Sequence, residues 1–188
     1  MSERRTATGM LREEHRLILE VLEVLERVVE KGQSGDWDVE AMVECVAFFR
    51  LFADLCHHGK EEDLLFPELE ERGMPKDSGP IAVMLFEHRQ GRALVAQMAG
   101  TLDGARQGET EPLARFESAA RAYIQLLRGH IQKEDNVLFN MADFMFDAAG
   151  CRRLCDQYDV VCARRFEGQT KAELERIAGN LVDAYGHQ

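Results

Sequence analysis

The feature that most constrains this chain is that it repeats itself. Glu14-His15-Arg16 recurs as Glu87-His88-Arg89. His57-x-x-Lys60-Glu61, followed by Leu65-Phe66, recurs as His130-x-x-Lys133-Glu134, followed by Leu138-Phe139. Every matched pair is 73 positions apart (88 − 15, 130 − 57, 134 − 61). The unit is a lone histidine on one segment and His-x-x-x-Glu on the next, made twice. Residues four apart share one helix face, so each His-x-x-x-Glu aims both side chains at one point. Two such hairpins stacked antiparallel bring His15, His57, Glu61, His88, His130 and Glu134 to the middle of one bundle.

Apolar periodicity supports that architecture. Strand-like alternation is absent, and the spacing predicts helices over about Met10 to Lys31, Asp38 to Arg72, Pro80 to Ala105 and Pro112 to Ala148, the last stopped by Gly150. Gly32 to Asp36 reads as a turn, and Pro75 lies in the segment that closes the second helix. Two shorter helices follow, about Cys151 to Phe166 and Lys171 to Tyr185, the second capped by Thr170 with Glu173 in capping-box position. The expected fold is an all-α, antiparallel up-down four-helix bundle. A single domain results, with a core bundle over about 10–148 and a helical extension over about 150–186. Apolar residues make up 45% of the chain, enough for a packed core rather than disorder.

The same composition narrows partners. A formal net charge of −11 argues against nucleic acid and against anionic membrane surfaces. No run approaches the roughly 18 apolar residues of a membrane span. Met1 to Gly9 is polar and has no signal-peptide core. Five cysteines in no framework spacing fit a reducing compartment. Together these lead us to expect a cytoplasmic protein.

A bundle core is a costly place for two carboxylates and four imidazoles, by several kcal/mol for each unpaired ion. A lone histidine on an apolar stripe, such as His15 beside Leu11, Leu19 and Leu22, is ordinarily a hydrogen-bonded core residue. Six donors repeated at one offset call instead for metal. One register choice arises. Straight α-helical periodicity favours His58 and Glu62, because Leu51, Leu55, Leu65 and Leu69 share their stripe. The repeat favours His57 and Glu61, and it compares like with like, so those two are chosen. His58 stays open as an extra ligand or a partner behind the ligands, with an outward or capping histidine the preferred reading.

Imidazole and carboxylate together, with open positions, suit iron ahead of manganese or zinc, and two carboxylates reaching between two sites suit a bridged metal pair. These residues resemble the hemerythrin-like (HHE) cation-binding domain family. The resemblance rests on Glu14-His15-Arg16, Cys56-His57-His58-Gly59-Lys60-Glu61-Glu62-Asp63-Leu64-Leu65-Phe66-Pro67, Glu87-His88-Arg89, and His130-x-x-x-Glu134-Asp135-Asn136-Val137-Leu138-Phe139. It spans roughly Met10 to Phe146. It implies a non-haem centre of two iron ions bridged by Glu61 and Glu134, with His15, His57, His88 and His130 as terminal ligands. Oxygen carriers of that family have a further histidine one turn before the third-helix histidine, where this chain has Met84. The departure leads us to expect one iron short of a ligand, and reaction with oxygen, peroxide or nitric oxide in redox or stress defence rather than reversible carriage. An oxygen- or iron-sensing module, or an iron storage and handling protein, are the other readings. A small diatomic or peroxide ligand is the expected partner.

Remaining residues carry less. Tyr123, two turns before His130, either lines the cavity or packs the core. Met141 and Met145 read as core filler. Cys151, Cys155 and Cys162 fall near one helix face, and Cys56 adjoins His57. We read all four as small buried hydrophobes ahead of a redox role.

Overall fold

The computed structural model describes residues 6–186; the part of the polar N-terminal reading that falls on residues 1–5 lies outside them. The protein is all-α apart from one two-residue strand pair. Helix α1 (Ala7–Gln33) begins where the Thr6 hydroxyl accepts the Gly9 N–H at 3.0 Å. It buries Leu11, His15, Ile18, Leu22, Leu25 and Val29, the three-and-four spacing of one face. Helix α2 (Val39–Phe48) is capped by the Asp38 carboxylate on the Ala41 N–H. It continues through π-helical stretches at Phe49–His58 and Glu61–Leu65 into α3 (Phe66–Glu71). Gly73, at φ 95°, turns the chain out of α3.

The second hairpin differs from its expected bounds. The third helix is α4 (Gly79–Ala99), and it stops six residues early. After Gly100, the buried Thr101 turns its hydroxyl onto the Met98 carbonyl at 2.7 Å, and a separate short α5 (Leu102–Arg106) follows. Helix α6 (Thr110–Lys133) runs through a π-helical stretch, Glu134–Leu138, into α7 (Phe139–Met145). The fourth helix therefore ends before Ala148, because Phe146 is extended and Asp147 caps the next helix. Gly150, expected to stop that helix, instead donates its N–H to the Asp147 cap in the first turn of α8 (Ala148–Cys162). Phe166 lies not in a helix but in a tight hairpin of β1 (Arg165–Phe166) and β2 (Gln169–Thr170). Helix α9 (Lys171–Tyr185) has the expected bounds, with both halves of the Thr170–Glu173 capping box made.

Helices α1, α2, α4 and α6 form the bundle, each against its two neighbours, while α8 packs on α1 and α9 on α1 and α2. Two apolar clusters fill the core. One holds Leu22, Phe49, Phe52, Met98 and Phe116; the other holds Leu11, Leu65, Phe66, Met84 and Phe139. On every bundle helix the histidines and glutamates of the repeat fall between residues of the two clusters, so a polar layer crosses the interior. Among the described residues, no helix is long and apolar enough to cross a membrane.

The bundle's far end shows how tightly α1 is held. A Cβ on Gly32 would stand 2.4 Å from the Trp37 ring, which itself meets Phe116 edge-on at 6.2 Å. Gly32→Ala should therefore cost about 1–3 kcal/mol and lower the thermal midpoint by several degrees, read by circular dichroism. An unchanged midpoint would mean that Trp37 is not fixed there.

Candidate metal centre

The six repeat residues converge, and each is at most 1% exposed. Both carboxylates straddle the centre. Glu61 aims Oε1 at His57 Nε2 (3.7 Å) and Oε2 at His88 Nε2 (3.5 Å). Glu134 aims Oε1 at His130 Nε2 (3.3 Å) and Oε2 at His15 Nε2 (3.2 Å). Each glutamate thus offers one oxygen to each of two groups of imidazoles.

Around that layer lies a second one, also doubled by the repeat. Every histidine of the centre turns Nδ1 to a carboxylate, leaving Nε2 for the interior. His57 pairs with Glu14 (2.9 Å) and His130 with Glu87 (3.0 Å). His15 pairs with Asp135 (2.8 Å) and His88 with Glu62 (2.6 Å). Lys60 reaches Glu14 as Lys133 reaches Glu87. All these partners are again 73 positions apart; Glu14 and Glu87 serve their own hairpins, while Glu62 and Asp135 reach across reciprocally. Such carboxylate–imidazole pairs fix the ring and its tautomer for coordination.

His58 corrects our reading. It is not outward; it is 5% exposed, with Nδ1 3.4 Å from Asp54 and its ring stacked on His88 at 3.9 Å. His58, His88, His130 and Glu61 form one group of potential donors, and His15, His57, Glu61 and Glu134 the other, with donor atoms within 4.8 Å of one another in each. His58 thus adds a fifth imidazole to the four of the repeat, while Met84 packs in an apolar cluster. The repeat could not find His58, because its counterpart 73 positions on is Ile131 and that of Asp54 is Leu127. Periodicity, which favours His58, misled only in turning His57 and Glu61 outward, for a separate reason. A π turn closes i to i+5 and inserts a residue into the helical phase. Leu55, on the stripe drawn for a straight α-helix, is 44% exposed, while His57 and Glu61 turn inward. The Glu61–Leu65 and Glu134–Leu138 stretches are themselves related by the repeat.

Four further residues resolve. Tyr123 is buried edge-on against Phe49 at 4.9 Å and also lines a cleft of about 100 Å³ with His58, Gly91 and Val95. Met141 is not core filler, being 40% exposed, whereas Met145 packs on an apolar cluster. Tyr158 of α8 was missed. It is fully buried, its hydroxyl has no hydrogen-bond partner, and burial together with the charges of Glu61 and Glu14 raises its pKa.

Electrostatically the centre is incomplete without a cation. His15 Nε2, His57 Nε2 and all four oxygens of Glu61 and Glu134 are buried without a hydrogen-bond partner. Burial, reinforced by Glu134, raises the Glu61 carboxyl to about 8. Glu134 is held well below its usual range, against its burial, by His130 and His15. His57 and His58 are pushed down by burial to about 3 and about 4, and so are neutral and able to coordinate. His15 and His130 rise, against their burial, to about 9 and about 10 through their carboxylate partners. The donor set, imidazole nitrogen and carboxylate oxygen on rigid helices, fits a pair of divalent or trivalent transition-metal ions.

The family model described as hemerythrin HHE cation binding domain matches residues 6–142. That span holds all seven inner donors and ends before α8. An uncharacterized protein of Mycobacterium bovis is 24% identical over 175 residues, which cover 92% of this chain and 68% of the relative. Uncharacterized proteins from two strains of Mycobacterium tuberculosis match to the same extent. No solved structure matches the chain.

Metal uptake at neutral pH should release protons, because His15, His130 and Glu61 must give them up before they coordinate. Titration of weakly buffered, metal-free protein with a divalent metal ion should acidify the solution. Binding without acidification would remove these residues from the ligand set.

Proposed function

The chain belongs to the hemerythrin HHE cation-binding domain family, and from that footing we propose that it holds a bridged pair of iron ions with which it reacts with a small oxidant. His15 and His57 would serve one ion, and His58, His88 and His130 the other, with Glu61 and Glu134 shared. The observation that carries this reading is the straddling of both buried glutamates, each with one oxygen toward either group of histidines. Iron is favoured over zinc because closed structural zinc sites take four Cys or His ligands, and over calcium because calcium takes all-oxygen shells. When bound, such a pair supplies one- and two-electron redox chemistry and a Lewis-acidic position for a small ligand.

The chain's own residues favour oxygen, peroxide or nitric oxide as that ligand. The centre is sealed between two apolar clusters, which keeps bulk water and larger substrates away. The cleft beside His58 and Tyr123 has room for a few atoms only. The unpartnered Tyr158 hydroxyl can donate a hydrogen bond toward the Glu61 side. The outer carboxylates hold every imidazole in one tautomer. The two histidine groups differ by one imidazole, so the exogenous ligand belongs on the side of His15 and His57. A role in oxidant defence follows from that chemistry.

Iron reconstitution should give about two iron atoms per chain, as in bridged two-metal sites, and the loaded protein should consume hydrogen peroxide. Loading should also raise the thermal midpoint well above that of the metal-free protein, since the native state alone offers the site. The double variant Glu61→Ala, Glu134→Ala should lose both the iron and the turnover. A stoichiometry near one, or peroxide consumption indifferent to the double change, would refute the paired site.

A further inference from the structure

Behind His57 lies a second cluster of reactive groups that the metal centre does not use. The Cys56 thiol, fully buried on the π-helical stretch, faces the sulfur of Cys162, the last residue of α8. The two sulfurs and a Glu14 carboxylate oxygen lie within 4.8 Å of one another. Three such donors suggest a cation site, but the charges rule it out. Glu14 is already engaged by His57 Nδ1, by Lys60 and by Lys171 Nζ at 3.4 Å, and two ammonium groups repel a metal ion.

The same ammonium groups suit a thiolate. Lys60 Nζ stands 3.8 Å from Cys162 Sγ. The neighbouring Cys56 sulfur and the Lys60 ammonium, against partial burial, draw the Cys162 thiol below its usual range. Cys162 is also reachable. It is half-buried and opens on a cleft of about 250 Å³ lined by Glu13, Leu17, Phe52 and Lys171. Of the other cysteines, Cys45 is fully buried, and Cys151 and Cys155 pack with the second apolar cluster.

We propose that Cys56 and Cys162 form a redox-active dithiol that hydroperoxides oxidise to a disulfide, independently of the metal in the neighbouring centre. The Cys162 sulfur attacks one oxygen of hydrogen peroxide and the O–O bond breaks. Cys162 becomes a sulfenic acid, and the departing hydroxide takes a proton and leaves as water. The Cys56 sulfur then attacks the Cys162 sulfur, the S–O bond breaks, and the released hydroxide takes the Cys56 proton and leaves as a second water. The two thiols together lose two electrons and two protons; the peroxide gains both. The product bond ties α8 to the stretch that carries His57.

The full chain as purified is treated with diamide, a two-electron thiol oxidant that needs no metal, and in parallel with hydrogen peroxide. Thiols are counted after denaturation and peptides are mapped by mass. Two of the five cysteine thiols should disappear first, in a Cys56–Cys162 cross-linked peptide that dithiothreitol dissolves. Cys162→Ser should abolish the cross-link and retain every remaining thiol at that dose. With Cys56→Ala, peroxide should leave a Cys162 sulfenic acid that dimedone traps. Five intact thiols after excess diamide, a cross-link from Cys162 to Cys151 or Cys155, or thiol loss unchanged in Cys162→Ser would overturn the proposal. Because the diamide arm is blind to iron, its result stands apart from that of the di-iron reading.

Discussion

Two carboxylates with no exposed surface sit in the middle of this bundle, and the rest of the structure follows from making that tolerable. An unpaired buried ion costs several kcal/mol, and removing one member of a buried pair costs about 3–5 kcal/mol. The chain surrounds Glu61 and Glu134 with five imidazoles, then surrounds the imidazoles with five carboxylates, and neutralises Glu14 and Glu87 with lysines. Even so, all four oxygens of the two inner glutamates remain without hydrogen-bond partners in the protein. Bound cations would meet that deficit, and the apolar clusters above and below confine the polar layer to one level of the bundle.

Duplication explains much of the order. Inner glutamates, four histidines, four outer carboxylates, lysines and one π stretch in each hairpin obey the same 73-residue offset. Asymmetry enters at a single helix level. Asp54 and His58 occupy positions that Leu127 and Ile131 hold in the other hairpin. One group of donors thereby has three imidazoles and the other two, so two sites made by one repeat become chemically distinct. Tyr158 and Cys162 add to the difference, since α8 contributes to one side of the bundle only.

The bundle and its six repeat donors were legible in the sequence because a repeat fixes register without knowledge of helix phase. His58 was set aside for the converse reason: it breaks the repeat, although α-helical periodicity pointed to it, while the π turns turn His57 and Glu61 inward as well. The Asp54-x-x-x-His58 spacing is the local signal that would have found it. The helix breaks after Ala99 and after Met145 were hidden because each depends on a backbone decision at one residue, Thr101 folding back on Met98 and Asp147 capping α8. The Cys56–Cys162 contact joins residues 106 positions apart (162 − 56), on elements whose packing no local pattern encodes.

The centre is most directly tested by anomalous diffraction at the iron edge from crystals of iron-loaded protein. Two peaks inside the bundle should appear, one contacted by His58, His88 and His130, the other by His15 and His57, with Glu61 and Glu134 touching both. A single peak, or a pair of peaks from which His58 or either glutamate is turned away, would contradict the account.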